Sequence, residues 1–395
     1  MQTIALILPH AVVYYSGLIL ALAILGGGAL LLALRTAQGR EIHSALLFLL
    51  LSLLLGLPLS RLVHWYCNSA QYASFASAMT DYSSGGYAPL GAALGMLLSA
   101  LLLRLFGAVR DLPALLDCAA PAAALSMGIG RLASLFTSAN RSKFTLEGEF
   151  FRRLPFMTSA VTPSGGVEWR IATFAWESIS CFVLCLVLLA LFRPLRSQKR
   201  FRASWRDGNV FFLFLALYAA FTVMLDSTRY DALYLRSNGF VSLTQICCVA
   251  GLLFSTVVCS VRSVMANGLR PWHFVLWLLW AAGAGLAGYM EYYVQRHAAE
   301  FLFAYAVMEG ALLLLFAIVC LLCRSTRSRA GGGGAERRGP PAGEAGSSCH
   351  DEGASPAEAV PSPEEEIPSG GEAEPPLEDS VPSLEDILSE YAEGS

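Results

Sequence analysis

Ala5–Leu34 reads ALILPHAVVYYSGLILALAILGGGALLLAL, 30 residues without one Asp, Glu, Lys or Arg. A hydrocarbon core about 30 Å thick needs about 20 apolar residues of helix to cross it. The run is long enough to span, and it is too long and too lightly flanked for a cleaved signal peptide. Similar windows follow at Ala45–Tyr66, Tyr87–Phe106, Leu112–Phe136, Thr173–Phe192, Asn209–Leu225, Val241–Val261, Trp272–Tyr293 and Phe301–Cys323. Lipid offers no partner to a backbone N–H or C=O, so each window reads as a helix. The expected fold class is all-α: a polytopic membrane protein of about nine transmembrane helices, with a disordered C-terminal tail.

Composition agrees. Of 395 residues, 55% are hydrophobic and 14% charged, against about 25% charged in soluble domains. The net charge of −3 averages two unlike parts. From Glu344 to Ser395 there are 15 acidic residues and no Lys or Arg, leaving 27 basic against 15 acidic residues, a charge of +12, in the rest. The tail has too little apolar content for a core, which excludes a large soluble enzyme domain. Of the ten cysteines, Cys181, Cys185, Cys247, Cys248, Cys259, Cys320 and Cys323 fall in apolar runs and read as small hydrophobes. No disulfide framework, metal site, cofactor or nucleic-acid partner is expected.

Alternate loops are basic: Arg35 and Arg40; Arg104 and Arg110; Arg193, Arg196, Lys199, Arg200, Arg202 and Arg206; Arg262 and Arg270; Arg324, Arg327 and Arg329. The positive-inside rule places these in the cytoplasm, the N-terminus outside and the tail inside. The connection Thr137–Ala172, with Arg141, Lys143, Arg152 and Arg153, departs mildly from the rule.

Ionisable residues then collect at one depth near the outer side: Arg61, Arg131, Arg170, Glu177, Arg229 and Asp231, with Gly85 and Gly86 opening the third span. A shared depth allows them to converge into one polar cavity, and an ionisable residue inside a membrane is a functional-site hypothesis. The blander readings are an Arg that snorkels, Glu177 as a structural partner of an Arg, Gly85-Gly86 as a plain turn, and Asp117 as a local cap. Several Arg with one carboxylate suit an anion, and a phospholipid head group is the obvious one, because the guanidinium fork matches phosphate.

These residues resemble the bacterial prolipoprotein diacylglyceryl transferase family over roughly residues 5–261. The resemblance rests on Tyr15-Ser16-Gly17-Leu18; on Gly85-Gly86 with Gly91 and Gly95; on Asp117, Pro121 and Gly128-Ile129-Gly130-Arg131; on Arg170 followed by Glu177; and on Arg229-Tyr230-Asp231-Ala232-Leu233-Tyr234-Leu235 with Val241-Ser242 and Gln245. It implies a seven-span core in the bacterial plasma membrane that moves diacylglyceryl from phosphatidylglycerol to the lipobox cysteine of a prolipoprotein, whose signal peptide is then a partner. In that reading Arg131 and Arg229 are the catalytic phosphate-holding cations, and Glu177 orients one of them or the substrate. Arg61, Gly85, Gly86, Arg170 and Asp231 contribute to lipid binding. The chain departs from the family pattern at Leu90, where the family keeps a His, and at Ser16, Ser134, Thr137, Ala139 and Ile171-Ala172-Thr173-Phe174. His64, beside Trp65 and Tyr66, reads as an interfacial histidine or, alternatively, as a replacement base.

The chain accordingly divides into a transferase-like core, 1–263, two additional helices, 264–324, and a disordered acidic cytoplasmic tail, 325–395. A non-catalytic paralogue that binds phospholipid or prolipoprotein is the rival reading. A small-molecule transporter is disfavoured, because the polar residues gather at one side and no internal repeat is evident. Near the end of the tail, Ser383 and Asp386 have capping-box spacing, and Leu384, Ile387, Leu388 and Tyr391 form one apolar stripe. That segment is expected to dock on a cytoplasmic partner or on this protein's own basic inner loops; the blander reading is an inert solubilising end.

Overall fold

The computed structural model describes residues 4–8, 11–80, 86–137, 140–145, 149, 153, 156–161, 167–195, 200–203, 207–235, 238–297 and 301–326. Its helices are α1 (Tyr15–Ala37), α2 (Ile42–Cys67), α3 (Phe75–Thr80), α4 (Pro89–Leu105), α5 (Leu112–Arg131), α6 (Thr173–Ala190), α7 (Asn209–Thr228), α8 (Leu243–Asn267), α9 (Pro271–Arg296) and α10 (Phe301–Ser325). Eight of the helices are long and apolar enough to cross a membrane, and α4 is a shorter apolar one. At 17 residues, α4 sits at the lower limit for a crossing. The protein is thus a multi-pass membrane protein of helical architecture.

The first span differs from its expected limits. Ile4–Leu8 and Ala11–Tyr14 are antiparallel strands, and the helix begins at Tyr15. Hydropathy does not separate an apolar hairpin from an apolar helix. Gly85 and the tail segment around Ser383–Tyr391 lie outside the described residues.

Lipid supplies no hydrophobic drive between helices, so close packing must come from small residues. The α2–α4 seam shows it. A Cβ on Gly95 would stand 2.5 Å from the Gly56 Cα, and one on Gly91 would stand 2.3 Å from the Leu59 carbonyl oxygen. The Ser60 hydroxyl also donates to the Ala88 carbonyl at 2.8 Å. On α1, a Cβ on Gly27 would collide with Ser126 of α5, whose hydroxyl donates to the Ala23 carbonyl at 2.8 Å.

Polar groups tie the helices at the end away from Arg131. Arg35 is buried and reaches Asp111 at 3.0 Å and the Ser44 hydroxyl at 3.0 Å, while Arg40 meets the same Asp111 at 2.8 Å. Burial pushes the Asp111 carboxyl up, but the hydrogen bond from Arg35 and the charges of Arg35 and Arg40 outweigh it and hold it below the usual range. Asp117 of α5 accepts from the backbone N–H groups of Gly208 at 2.6 Å and Phe211 at 2.9 Å. It caps the N-terminus of α7 from another helix, which satisfies donors that have no partner within their own helix. Its effect is to fix the most enclosed span: 72% of the apolar window of α7 is buried.

Replacing Gly95 with Val should prevent α2 and α4 from closing, at a cost of about 1–3 kcal/mol or more. Gly285→Val, at a position with open space around it, serves as the control. A thermal midpoint in detergent that is equal for both variants would refute the seam.

Candidate functional site

The site begins with a glycine. A Cβ on Gly128 would stand 2.9 Å from the Phe182 ring and 3.3 Å from the Cys181 Cβ. Its absence lets α5 and α6 approach, and the Ser178 hydroxyl seals the contact by donating to the Gly128 carbonyl at 2.8 Å. Ser178 is preceded by Glu177, and Gly128 is followed three residues on by Arg131. The same close approach therefore sets the Arg131 guanidinium, through Nε, 3.0 Å from Glu177 Oε2. Glu177 Oε1 lies 3.9 Å from Nη1 of Arg229, which follows the end of α7. Glu177 is 4% exposed. One buried carboxylate thus stands between a guanidinium at the end of α5 and one just past the end of α7.

Arg229 is held on two further sides. Its Nη1 donates to Asp226 at 3.1 Å and its Nε to Asp231 at 3.1 Å. Asp226 in turn accepts from the Ser242 hydroxyl. Ser242 is the N-cap of α8 and forms a capping box with Gln245, whose side-chain amide donates to the Val223 carbonyl at 3.1 Å.

Arg131 also donates through Nη1 to Asn140 at 3.2 Å. Asn140 has φ +57°, a left-handed conformation that Asn tolerates better than most residues. There its amide nitrogen donates to the Ser134 hydroxyl at 2.6 Å and its backbone N–H to Asp231 at 2.9 Å.

Arg131, Glu177, Arg229 and Asp231 therefore meet, as expected from their common depth. Arg170 lies one layer out, its guanidinium 6.0 Å from the Tyr230 ring and 3.5 Å from the Ser142 carbonyl, with Glu168 at 3.0 Å. Arg61 is built into a different corner. It is buried, donates to the carbonyls of Ala78 at 2.5 Å and Gly86 at 3.1 Å, and lies 5.4 Å from the rings of both Tyr72 and Tyr87. Gly86 has φ +81°, and a Cβ there would strike Tyr72 and the His64 ring. His64 Nδ1 is 2.9 Å from the Tyr72 hydroxyl.

Among the described residues, the groups at this common depth fall into two polar clusters. The reason is that depth fixes one coordinate, while the helix seams fix the other two. An apolar cleft of about 330 Å³ lies between Leu62, Val63, Trp65 and Tyr66 of α2 and Leu235 and Leu243. On the α6–α7 side, Arg131 and Glu177 border a cavity of about 10 Å³ with Cys181, Leu184, Tyr218 and Thr222. That is room for about one water and not for a lipid head group.

Sequence reasoning passed over Asp226 and Asn140. Asp226 carried a usable signal: a carboxylate in the last turn of a span, three residues before an Arg. Asn140 carried none, since only its backbone conformation turns it toward Arg131. The cluster also differs from the expected set of cations with one carboxylate. Two guanidiniums face three carboxylates, Glu177, Asp226 and Asp231.

Removing one partner of a buried pair strands the other charge, at a cost of about 3–5 kcal/mol. Glu177→Leu should therefore lower the thermal midpoint strongly. Glu149→Gln, which opens the exposed Glu149–Arg153 pair, should leave it unmoved. Equal midpoints for the two variants would show that Glu177 carries no structural role.

Comparison with known proteins shows the family. The family profile described as prolipoprotein diacylglyceryl transferase matches residues 3–261. A phosphatidylglycerol--prolipoprotein diacylglyceryl transferase of Synechococcus elongatus is 30% identical over 269 residues, which cover 67% of this chain and 89% of that protein. A protein of the same name from Trichormus variabilis is 30% identical over 251 residues, 60% of this chain and 83% of its own. One from Clostridium botulinum is 29% identical over 140 residues, 35% of this chain and 49% of its own. With well over half of its length matched, and with Arg131, Glu177, Arg229 and Asp231 all inside the matched region, this chain belongs to the prolipoprotein diacylglyceryl transferase family.

Proposed function

We propose that this protein transfers a diacylglyceryl group from phosphatidylglycerol to the thiol of a lipobox cysteine in a prolipoprotein. The observation that carries the reading is the pair of arginines, Arg131 and Arg229, joined through the buried Glu177. In the reaction the thiolate sulfur attacks the glyceryl methylene carbon. The bond from that carbon to the phosphate oxygen breaks, its electron pair stays on that oxygen, and glycerol phosphate leaves. A thioether remains on the cysteine, whose proton has passed to a base, because only the thiolate is nucleophilic.

Arg131 and Arg229 hold the phosphate and meet the charge that grows on it as it departs. With carboxylates already facing both, a phosphate competes for their N–H groups rather than filling an empty positive hole. Contacts of that kind strengthen as negative charge develops, which favours the transition state over the bound lipid. Glu177 orients both guanidiniums. Asn140 holds the Arg131 fork, and Asp231 holds that of Arg229. Arg61, Gly86 and Arg170 belong to the surroundings that receive the lipid, and the apolar cleft beside Leu62 and Leu235 has the character to take an acyl chain.

The basic alternate loops support a bacterial plasma-membrane protein with its N-terminus outside and its C-terminus in the cytoplasm. The signal peptide of the prolipoprotein is the protein partner. The end of the tail docks on a cytoplasmic one.

The test is twofold: rescue of a bacterial strain depleted of its own transferase, and glycerol phosphate release from phosphatidylglycerol vesicles carrying a lipobox peptide. Arg131→Gln and Arg229→Gln should each lower turnover by about 10²–10³-fold, with Lys restoring only part, because the fork geometry is lost. Phosphatidylglycerol binding without release, in a chain that also fails to rescue, would establish a binding paralogue instead.

Leu90 marks the family histidine position, one residue into α4 and close in sequence to Gly86, against which His64 packs. Leu90→His should raise the rate, since a positioned general base contributes about 10²–10⁴-fold. A folded variant with no gain would show that Leu90 is not the missing base position.

A further inference from the structure

The last turn of α7 is fixed residue by residue. Asp226 receives the Ser242 hydroxyl from the start of α8. Ser227 donates to Glu291 Oε1 of α9 at 3.0 Å and stands 3.0 Å from the Tyr305 hydroxyl of α10, which also donates to the Ser227 carbonyl at 3.3 Å. The Thr228 carbonyl accepts from the Lys143 backbone N–H at 2.8 Å, and its hydroxyl lies 3.4 Å from that of Thr173 on α6. Arg229 then meets Glu177, Asp226 and Asp231. Each residue of the turn is gripped by a different part of the protein, and Ser227 is gripped by helices that lie beyond the matched residues 3–261.

Glu291 is 6% exposed, and its Oε1 accepts a second hydrogen bond, from Gln295 at 3.2 Å. Around it, Phe144 stacks on Phe301 with ring centres 4.3 Å apart and meets Tyr305 edge-on. Burial pulls the Lys143 ammonium below its usual range, and the nearby Glu291 carboxylate opposes that shift. The Glu291 Oε2 is buried with no hydrogen-bond partner among the described residues, so a carboxylate is kept here at a cost that its Oε1 contacts only partly offset. Bulk packing of α9 and α10 would be served more cheaply by an apolar residue at 291.

The same hairpin is anchored at its other end. Asn209, the first residue of α7, donates to the Thr326 hydroxyl at 2.9 Å and receives Arg262 at 3.0 Å. His273, fully buried, stands 2.9 Å from the Ser263 hydroxyl of α8, which in turn lies 2.6 Å from the hydroxyl of Ser325. With both ends of the α9–α10 hairpin pinned along α7 and α8, Glu291 is a fixed reference point for the turn that carries Arg229.

We infer that Glu291 is a positioning residue for the transfer reaction, acting through Ser227 to hold the turn Asp226–Arg229 so that the Arg229 guanidinium faces the phosphate. The inference rests on the transferase reading. The helices beyond the matched region are on this account part of the machinery, although Glu291 itself touches neither substrate nor Arg229.

The experiment compares Glu291→Leu, Glu291→Gln and Ser227→Ala with wild type in phosphatidylglycerol vesicles, reading kcat and KM, the thermal midpoint, and amide hydrogen exchange over residues 226–231. Glu291→Gln keeps an oxygen that accepts from Ser227 and should stay within about twofold of wild type. Glu291→Leu and Ser227→Ala should lower kcat about tenfold or more, the equivalent of one lost hydrogen bond to a charged group, with KM held and exchange raised at 226–231 but not in α1 or α5. A Gln variant as impaired as Leu would overturn the inference, because a hydrogen bond would then not be what matters. So would a fall in kcat that is matched by a fall in midpoint in every variant. Should Glu291→Leu fail to fold, Ser227→Ala carries the comparison. If wild type shows no transfer, the transferase reading fails by itself. Exchange then decides separately: unchanged protection of 226–231 in Ser227→Ala overturns the positioning role, and raised protection loss confined to that turn sustains it.

Discussion

A guanidinium inside a membrane protein must find a carboxylate or carry a cost of several kcal/mol, and Arg131 finds Glu177. Much of the local architecture follows from that pairing. It needs α5 and α6 close together, which Gly128 permits and Ser178 secures. It needs Glu177 to face away from lipid, which the packing of α5, α6 and α7 provides. Because one carboxylate cannot be fully matched by one Nε contact, Glu177 is also available to Arg229, and the two arginines become a coupled pair. A charge that would be a liability in a structural helix is here the means of bringing two cations together without their mutual repulsion driving them apart.

The second consequence falls on α7. Its first turn is capped by Asp117 from α5, and its last turn is gripped by α6, α8, α9 and α10. Phosphoryl-leaving chemistry gains from groups held in place before the reaction, since nothing then has to be reorganised as charge moves. A span enclosed as fully as α7 is suited to that purpose, and an Arg placed just past its end inherits the rigidity. An Arg on an irregular stretch of the Thr137–Ala172 connection would not. Arg170, set on a strand with Glu168 and the Tyr230 ring, shows the looser alternative within the same protein.

How much of this could be read from the chain differs by level. The spans were legible, because hydrocarbon demands long uncharged windows and the chain supplies them. Arg131, Glu177 and Arg229 were legible as candidates because charge stands out in or just beyond such windows. The start of α1 was not, since the apolar strands Ile4–Leu8 and Ala11–Tyr14 have the hydropathy of a helix. Asp226 was legible in principle, by its i, i+3 spacing to Arg229. Asn140 and Ser227 were not, because their roles come from a left-handed backbone and from a helix more than sixty positions away in the chain.

The separation of Arg61 from Arg131 shows where depth stops being informative. Both residues are buried near the end of a span, and sequence assigns them one level. Among the described residues, Arg61 meets carbonyl oxygens and aromatic faces from the corner of α2, α3 and α4, and Arg131 meets a carboxylate from α6. The difference arises from the glycine seams. Gly91 and Gly95 draw α4 onto α2, so that Gly86 and Ala88 arrive beside Arg61 and Ser60. Gly128 draws α6 onto α5, so that Glu177 arrives beside Arg131. Which neighbouring helix a membrane-buried charge meets is therefore decided by where the small residues lie, and two arginines at one depth are brought to different helices by two different seams.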